Sequence, residues 1–148
     1  MISTEPIKDF DKMFDVVSLF IICDGKILLL KRREDKPQGG SWGRVAGKVD
    51  AGESLEKAIL RETLEETGLQ LTAKQIKKYA KNYYVRHDDT DFIFYVFILE
   101  LAECPQIILS DREHSECSWF TPQESLALDL VPDEEVPITD LFFDGVVD

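Results

Sequence analysis

Five of the chain's eight glycines, Gly39, Gly40, Gly43, Gly47 and Gly52, crowd into one stretch, and a helical pattern, Ser54–Thr67, follows directly. Glycine destabilises a helix or strand interior by roughly 0.5–1 kcal/mol per residue, so the stretch must be loop with at most a short strand. It also lets backbone approach a neighbour or ligand closely. Ser54 is placed to cap the helix, Glu56 to meet the positive end of its dipole, and Gly68 to end it. At about 100° per residue, Leu55, Ile59, Leu60, Thr63, Leu64 and Thr67 share the side that can pack on a sheet. Glu62, Glu65 and Glu66 fall on a neighbouring sector at i, i+3 and i+4, where like charges repel by a few tenths of a kcal/mol per pair. Arg61 is placed to offset them through Glu65, one turn from Lys57. Two readings of the sector stand level: a solvated acidic face, and a hard-oxygen site for Mg²⁺ or Mn²⁺ beside the flexible loop.

Strand signals dominate elsewhere. Val16–Cys23 and Lys26–Leu30 flank Asp24-Gly25, the pattern of a two-residue hairpin turn. Alternation along the second strand sets Ile27 and Leu29 on one face and Leu28, Leu30 and Arg32 on the other. Ile76–Val85 and Phe92–Leu101 read as strands joined by His87–Asp91, with Gln106–Leu109 and Cys117–Phe120 as short strands. Pro122–Leu128 and Pro137–Phe143 each begin with proline at a first helical position. No repeat or linker divides the sequence, so residues 1–148 are expected to form one domain, an α/β fold with a mixed sheet packed between helices as an α/β/α sandwich.

Seventeen basic against 29 acidic residues give a net charge of -12, which argues against nucleic acid or an anionic membrane as a partner. The longest apolar runs, Val16–Cys23 and Phe92–Leu99, fall short of the roughly 20 residues of a spanning helix. Met1–Phe14 is acidic and lacks the order of a secretion signal. Cys23, Cys104 and Cys117 are odd in number and widely spaced, and are expected to be reduced thiols of a cytoplasmic protein. Gly43–Val49 fails as a phosphate-binding P-loop, because three residues separate its glycines and valine follows the lysine. No Gly-x-Ser-x-Gly elbow occurs, and His87 and His114 lie far apart.

Gly47 through Leu69 resembles the signature of the Nudix hydrolases, G-x5-E-x7-R-E-U-x-E-E-x-G-U with U bulky and apolar. Gly47, Glu53, Arg61, Glu62, Glu65, Glu66 and Gly68 match every fixed position, Leu69 matches the last U, and Thr63 at the first U is the single departure. The resemblance implies metal-dependent hydrolysis of a nucleoside diphosphate linked to another group, such as a nucleoside triphosphate, ADP-ribose or a dinucleoside polyphosphate. Alternatives within the fold are a nucleotide sensor that does not cleave and an isoprenyl diphosphate isomerase. It further implies Glu62, Glu65, Glu66 and the Ala46 carbonyl as ligands for Mg²⁺ or Mn²⁺, with Glu62 also able to take a proton from water. Arg61 and Glu53 would pair to hold loop to helix, with Gly47 and Gly68 as structural glycines. Arg32, Lys48 and Arg44 are the candidates for phosphate contacts, and Glu116, then Glu113, for a late catalytic carboxylate. Trp42, Tyr83, Tyr84 and Phe94 are candidates to stack a base, weighed against ordinary core roles. Many relatives pair, so a homodimer is compatible with the resemblance.

Overall fold

A computed structural model describes residues 1–144, and the last four residues of the expected domain lie outside the described residues. A two-residue strand, β1 (Ile2–Ser3), precedes the long strand β2 (Phe14–Cys23). Asp24 and Gly25 take positive φ, 53° and 71°, and turn the chain into β3 (Lys26–Arg32), as the hairpin signal requires. The two strands pair only at Ile22↔Ile27 and Cys23↔Lys26 before parting. β3 then pairs with β4 (Trp42–Gly43) and with β8 (His114–Phe120), while β2 takes β5 (Val45–Lys48) on that side. On its other side β2 runs parallel to β7 (Thr90–Leu101), from Phe14↔Phe92 to Cys23↔Leu101. β7 forms a hairpin with β6 (Lys77–His87), and β1 caps that edge.

Strand alternation sends side chains into two separate layers. Val17, Leu19, Ile21, Leu28 and Leu30 pack with Ala58 and Ile59 of the helix α1 (Leu55–Thr67). Phe20, Ile27, Leu29, Tyr83 and Val96 pack on the other face with Ile138. Ile138 lies in the short helix α3 (Glu135–Thr139), which follows α2 (Pro122–Ser125). A mixed sheet between helices results, the expected α/β/α sandwich. Among the described residues no helix is long and apolar enough to cross a membrane.

Several local expectations need correction. The buried seam of α1 is Ala58, Ile59, Thr63, Glu66 and Thr67, and Leu64 stands 49% exposed. The helix is rotated so that a carboxylate, and not a leucine, turns inward. Gln106–Leu109 forms no strand; instead the Ile108 N–H donates to the Thr67 carbonyl at 2.9 Å and caps the end of α1. The last helix starts at Glu135, placing Pro137 third, and continues into a π-helical turn over Asp140–Asp144. Cys23 and Cys104 are joined as a disulfide, with Cα atoms 5.4 Å apart, and Cys117 alone is free. Their separation of 81 residues hid this, but the β2–β7 register sets Leu101 opposite Cys23 and so delivers Cys104 to it.

A crosslink over so long a loop constrains the unfolded chain strongly. Cys104→Ser under oxidising conditions should therefore lower unfolding free energy by about 2–4 kcal/mol, read as a lower urea midpoint. An unchanged midpoint would show that the crosslink contributes nothing.

Candidate active site

Both ends of α1 are fixed locally. The Ser54 hydroxyl accepts from the Lys57 N–H at 3.1 Å. Gly68 takes φ 77° and donates its N–H to the Leu64 carbonyl at 3.0 Å. With the helix register set, Glu62, Glu65 and Glu66 occupy its last turns. β5 passes so close that a Cβ at residue 47 would land on the Glu62 carboxylate. Gly47 is thus needed for close approach, without a positive φ.

Arg61 ties this helix to the preceding loop. Its Nε and Nη2 donate to the two Glu53 oxygens at 2.8 and 3.0 Å, its Nη1 to Glu62 Oε1 at 2.8 Å, and its Nη2 also to the Lys48 carbonyl at 3.1 Å. Glu65 is a distant partner at 3.5 Å, so the expected Arg61–Glu65 pairing is secondary. The Arg61 guanidinium, helped by the Asp50 N–H, holds the Glu53 carboxyl down at about 2.

Glu66 lacks any such support. It is 7% exposed, and its Oε2 is buried without a hydrogen-bond partner. Burial first, then the hydrogen bond and charge of Glu62, then Glu113 and Glu65, push its carboxyl up to about 10. His114 Nδ1 is 3.9 Å from Glu66 Oε1, and burial, with Arg32 nearby, lowers that imidazole. A neutral histidine supplies no compensating charge. An unpartnered buried carboxylate among three others suits a hard dication such as Mg²⁺ or Mn²⁺. Among the described residues no three His, Cys, Asp or Glu side chains are arranged so as to hold a metal ion by themselves.

A cleft of about 270 Å³ opens beside the cluster. Arg32, Arg44, Ala46, Glu66, Glu113 and His114 line its polar part, and Val85, Phe92, Phe94, Val131 and Pro132 its apolar part. The Arg32 Nε donates to the Pro37 carbonyl at 2.7 Å, leaving its terminal nitrogens for the cleft. Arg44 is buried, ion-paired to Glu134, bonded to Ser18 Oγ at 3.0 Å and stacked 4.0 Å over Phe20, with Nη2 lacking a partner. It is therefore part of the cleft's floor and not a free phosphate-seeking cation. Lys48 lies outside the cleft lining, its Nζ 4.1 Å from the Phe14 ring centre. Glu116 is likewise outside, exposed and opposite Lys31, whereas Glu113 lines the cleft. A register shift at Lys31/Arg32 and an earlier start to β8 explain that exchange.

Of the four aromatic candidates only Phe94 lines the cleft. Tyr83 is fully buried and donates its hydroxyl to Asp140 at 2.7 Å, Trp42 packs edge-on against Phe120, and Tyr84 against Phe10. Sequence reasoning missed Phe92, which strand alternation from Phe94 would have found. It also missed Glu134 and His114, for which the sequence carries no local signal.

The NUDIX domain family matches residues 13–142. The CTP pyrophosphohydrolase of Escherichia coli is 32% identical over 133 residues, covering 88% of this chain and 92% of that protein. The nucleoside triphosphatase NudI of Escherichia coli is 27% identical over 123 residues, covering 78% and 86% respectively. The crystal structure of a MutT protein from Methanosarcina mazei superposes with a TM-score of 0.72 at 27% identity, covering 86% of this chain and 90% of that one.

The Glu66 carboxyl binds its proton more tightly folded than unfolded, so the metal-free fold loses stability as pH rises from the ordinary 4.5 towards 10. Glu53 and Asp91, both held at about 2, act oppositely but only at acid pH, outside that window, whereas His114, lowered by burial, offsets part of the loss as pH rises towards the ordinary 6.5. Metal-free protein should therefore show a falling Tm from about pH 7 to about pH 9, with Mg²⁺ restoring more at the alkaline end. A flat or rising metal-free Tm would contradict the burial of an uncompensated carboxyl.

Proposed function

The chain belongs to the Nudix hydrolase family, and on that premise we propose that it hydrolyses nucleoside triphosphates to the monophosphate and pyrophosphate. The observation carrying this reading is a carboxylate cluster opening onto a cleft with an aromatic and aliphatic wall. One part suits a metal-bound polyphosphate, the other a nucleoside. The names of the two relatives, a CTP pyrophosphohydrolase and a nucleoside triphosphatase, point to the same substrate class.

In this reading Glu62, Glu65, Glu66 and the Ala46 carbonyl hold Mg²⁺ or Mn²⁺. When bound, the ion neutralises phosphate oxygens and acidifies water. The chain's own residues do the rest. Arg61 fixes the Glu62 carboxylate through its Nη1–H. Glu113, whose carboxylate makes no ion pair among the described residues and lines the cleft, takes the proton of the attacking water. Arg32 offers its terminal nitrogens to the phosphate nearest the nucleoside. Phe94 and its apolar neighbours receive the base, and the Arg44–Glu134 pair supplies polar contacts beneath it. A cytoplasmic setting, where this substrate pool lies, would keep Cys23 and Cys104 reduced, so the thiol state of protein taken from cells checks that part of the reading.

The test is a product assay with Mg²⁺ or Mn²⁺ across nucleoside triphosphates, ADP-ribose, dinucleoside polyphosphates and isoprenyl diphosphates. Triphosphates should yield pyrophosphate; preference for any other class would overturn the substrate reading. Glu66→Gln should lower kcat on the order of 100-fold, as loss of a metal ligand does, without lowering Tm. Wild-type turnover in that variant at saturating Mg²⁺ would remove Glu66 from the ligand set.

A further inference from the structure

The cleft crosses the sheet in strand order, so topology sets its two ends. Glu66, Glu113 and Arg32 stand at the end built from α1, β3 and the start of β8. Ile2 of β1 and Val85 and His87 of β6 stand at the other, beyond the β7 side chains Phe94 and Phe92. That outer end is closed. His87 Nε2 lies 2.8 Å from Asp133 Oδ2, a contact between residues 46 apart in sequence. The His87 ring also packs edge-on against Phe92, with 5.6 Å between centres. Asp133 belongs to the segment between α2 and α3, which is held on β4. The Trp42 N–H donates to the Asp129 carbonyl at 2.8 Å, the Val131 N–H donates to the Trp42 carbonyl at 2.9 Å, and Glu134 pairs with Arg44. From there the segment reaches across to β6, and Asp133 takes φ 67°, a left-handed conformation that costs a non-glycine residue energy. The pair thus joins both walls of the cleft. Its side chains are 38% and 27% exposed, which makes it rim and not floor.

Resting on the triphosphate reading, we propose that His87 and Asp133 form a clasp that limits the size of the base, admitting a single-ring pyrimidine and turning away a two-ring purine. The space so bounded is about 270 Å³, under the roughly 300–1,000 Å³ usual for small-molecule sites. With polyphosphate at the carboxylate end and the base against Phe94, the far edge of the base points at the clasp. A purine joins its sugar through the five-membered ring, which pushes the six-membered ring further out. It enters only if the His87–Asp133 contact opens. That cost falls on purines alone, so the discrimination comes from exclusion and not from a better contact to the pyrimidine. Neither residue reaches the reacting phosphorus, so both determine specificity and not the chemical step.

The experiment measures kcat and KM for cytidine, uridine, adenosine and guanosine triphosphates with Mg²⁺ in wild type and in variants of the pair. Wild type should favour the two pyrimidine substrates. Glycine suits the positive φ at residue 133, so Asp133→Gly removes the carboxylate without straining the turn. His87→Ala and Asp133→Gly should each raise the purine-to-pyrimidine ratio of kcat/KM roughly tenfold, mainly through a lower KM for the purines. Both changes break one contact, so the double variant should gain no more than either alone. His87→Gln, whose amide can still donate to Asp133, should keep a ratio near wild type. A partly exposed pair contributes little to stability, so Tm should stay near the wild-type value in all four variants. An unchanged ratio in the two single variants, or a wild type that prefers purines, would overturn the clasp while leaving triphosphate hydrolysis standing. Absence of triphosphate cleavage by the wild type would overturn both.

Discussion

Arg61 sits among more negative charge than one cation can satisfy, and the way its five N–H groups are shared organises the site. Two go to Glu53, one to Glu62 and one also to the Lys48 carbonyl, so loop, strand β5 and helix α1 are joined at a single guanidinium. A lysine, with a compact point charge, could not span those directions. Glu65 escapes into water, with its side chain 55% exposed. Glu66 receives nothing. The repulsion spread along the helix is thereby concentrated on Glu66, whose Oε2 is buried without a partner and whose side chain belongs to the cleft wall. Discriminating placement of charge, rather than its amount, makes the cluster receptive to a dication.

The sheet provides the space. β2 and β3 begin as a tight hairpin, yet share only two residue pairs before β2 turns to β5 and β3 to β8. Side chains from the diverging strands and from β7 line the cleft: Arg32, Arg44, Ala46, Phe94 and His114. A sheet that stayed paired throughout would fill this volume with backbone. The hairpin turn, fixed by two positive-φ residues, therefore has a consequence well away from itself.

How much was legible follows from how local each feature is. The hairpin, the capped helix and the inward alternation of Leu28 and Leu30 depend on neighbours within a few residues, and the structure shows all three. Gly47 and Arg61 were placed by their spacing within one motif. Charge alone does not tell where a cation ends up: Arg44 is buried and locked to Glu134, 90 residues away, while Lys48 stands exposed outside the cleft lining. Glu116 was preferred to Glu113 because strand boundaries and a register shift are set by pairing between distant strands. The Cys23–Cys104 bond was missed for the same reason, since it follows from a parallel pairing that no local pattern announces.

Glu113 itself illustrates how the fold delivers a carboxylate from outside the helix. The segment after Cys104 has no strand ladder until β8, yet it is held at successive points. The disulfide anchors its start, Ile108 and Ser110 donate to the carbonyls of Thr67 and Glu66, and Glu113 accepts from the Arg33 N–H. A helix terminus leaves its last carbonyls without internal partners, and two of them are satisfied here by the incoming loop. Glu66 thus serves at both ends of its residue: its carbonyl orders the segment that carries Glu113, and its carboxylate meets that same segment across the cavity. The helix that leaves a charge unbalanced also positions the loop that brings Glu113 to the cleft wall.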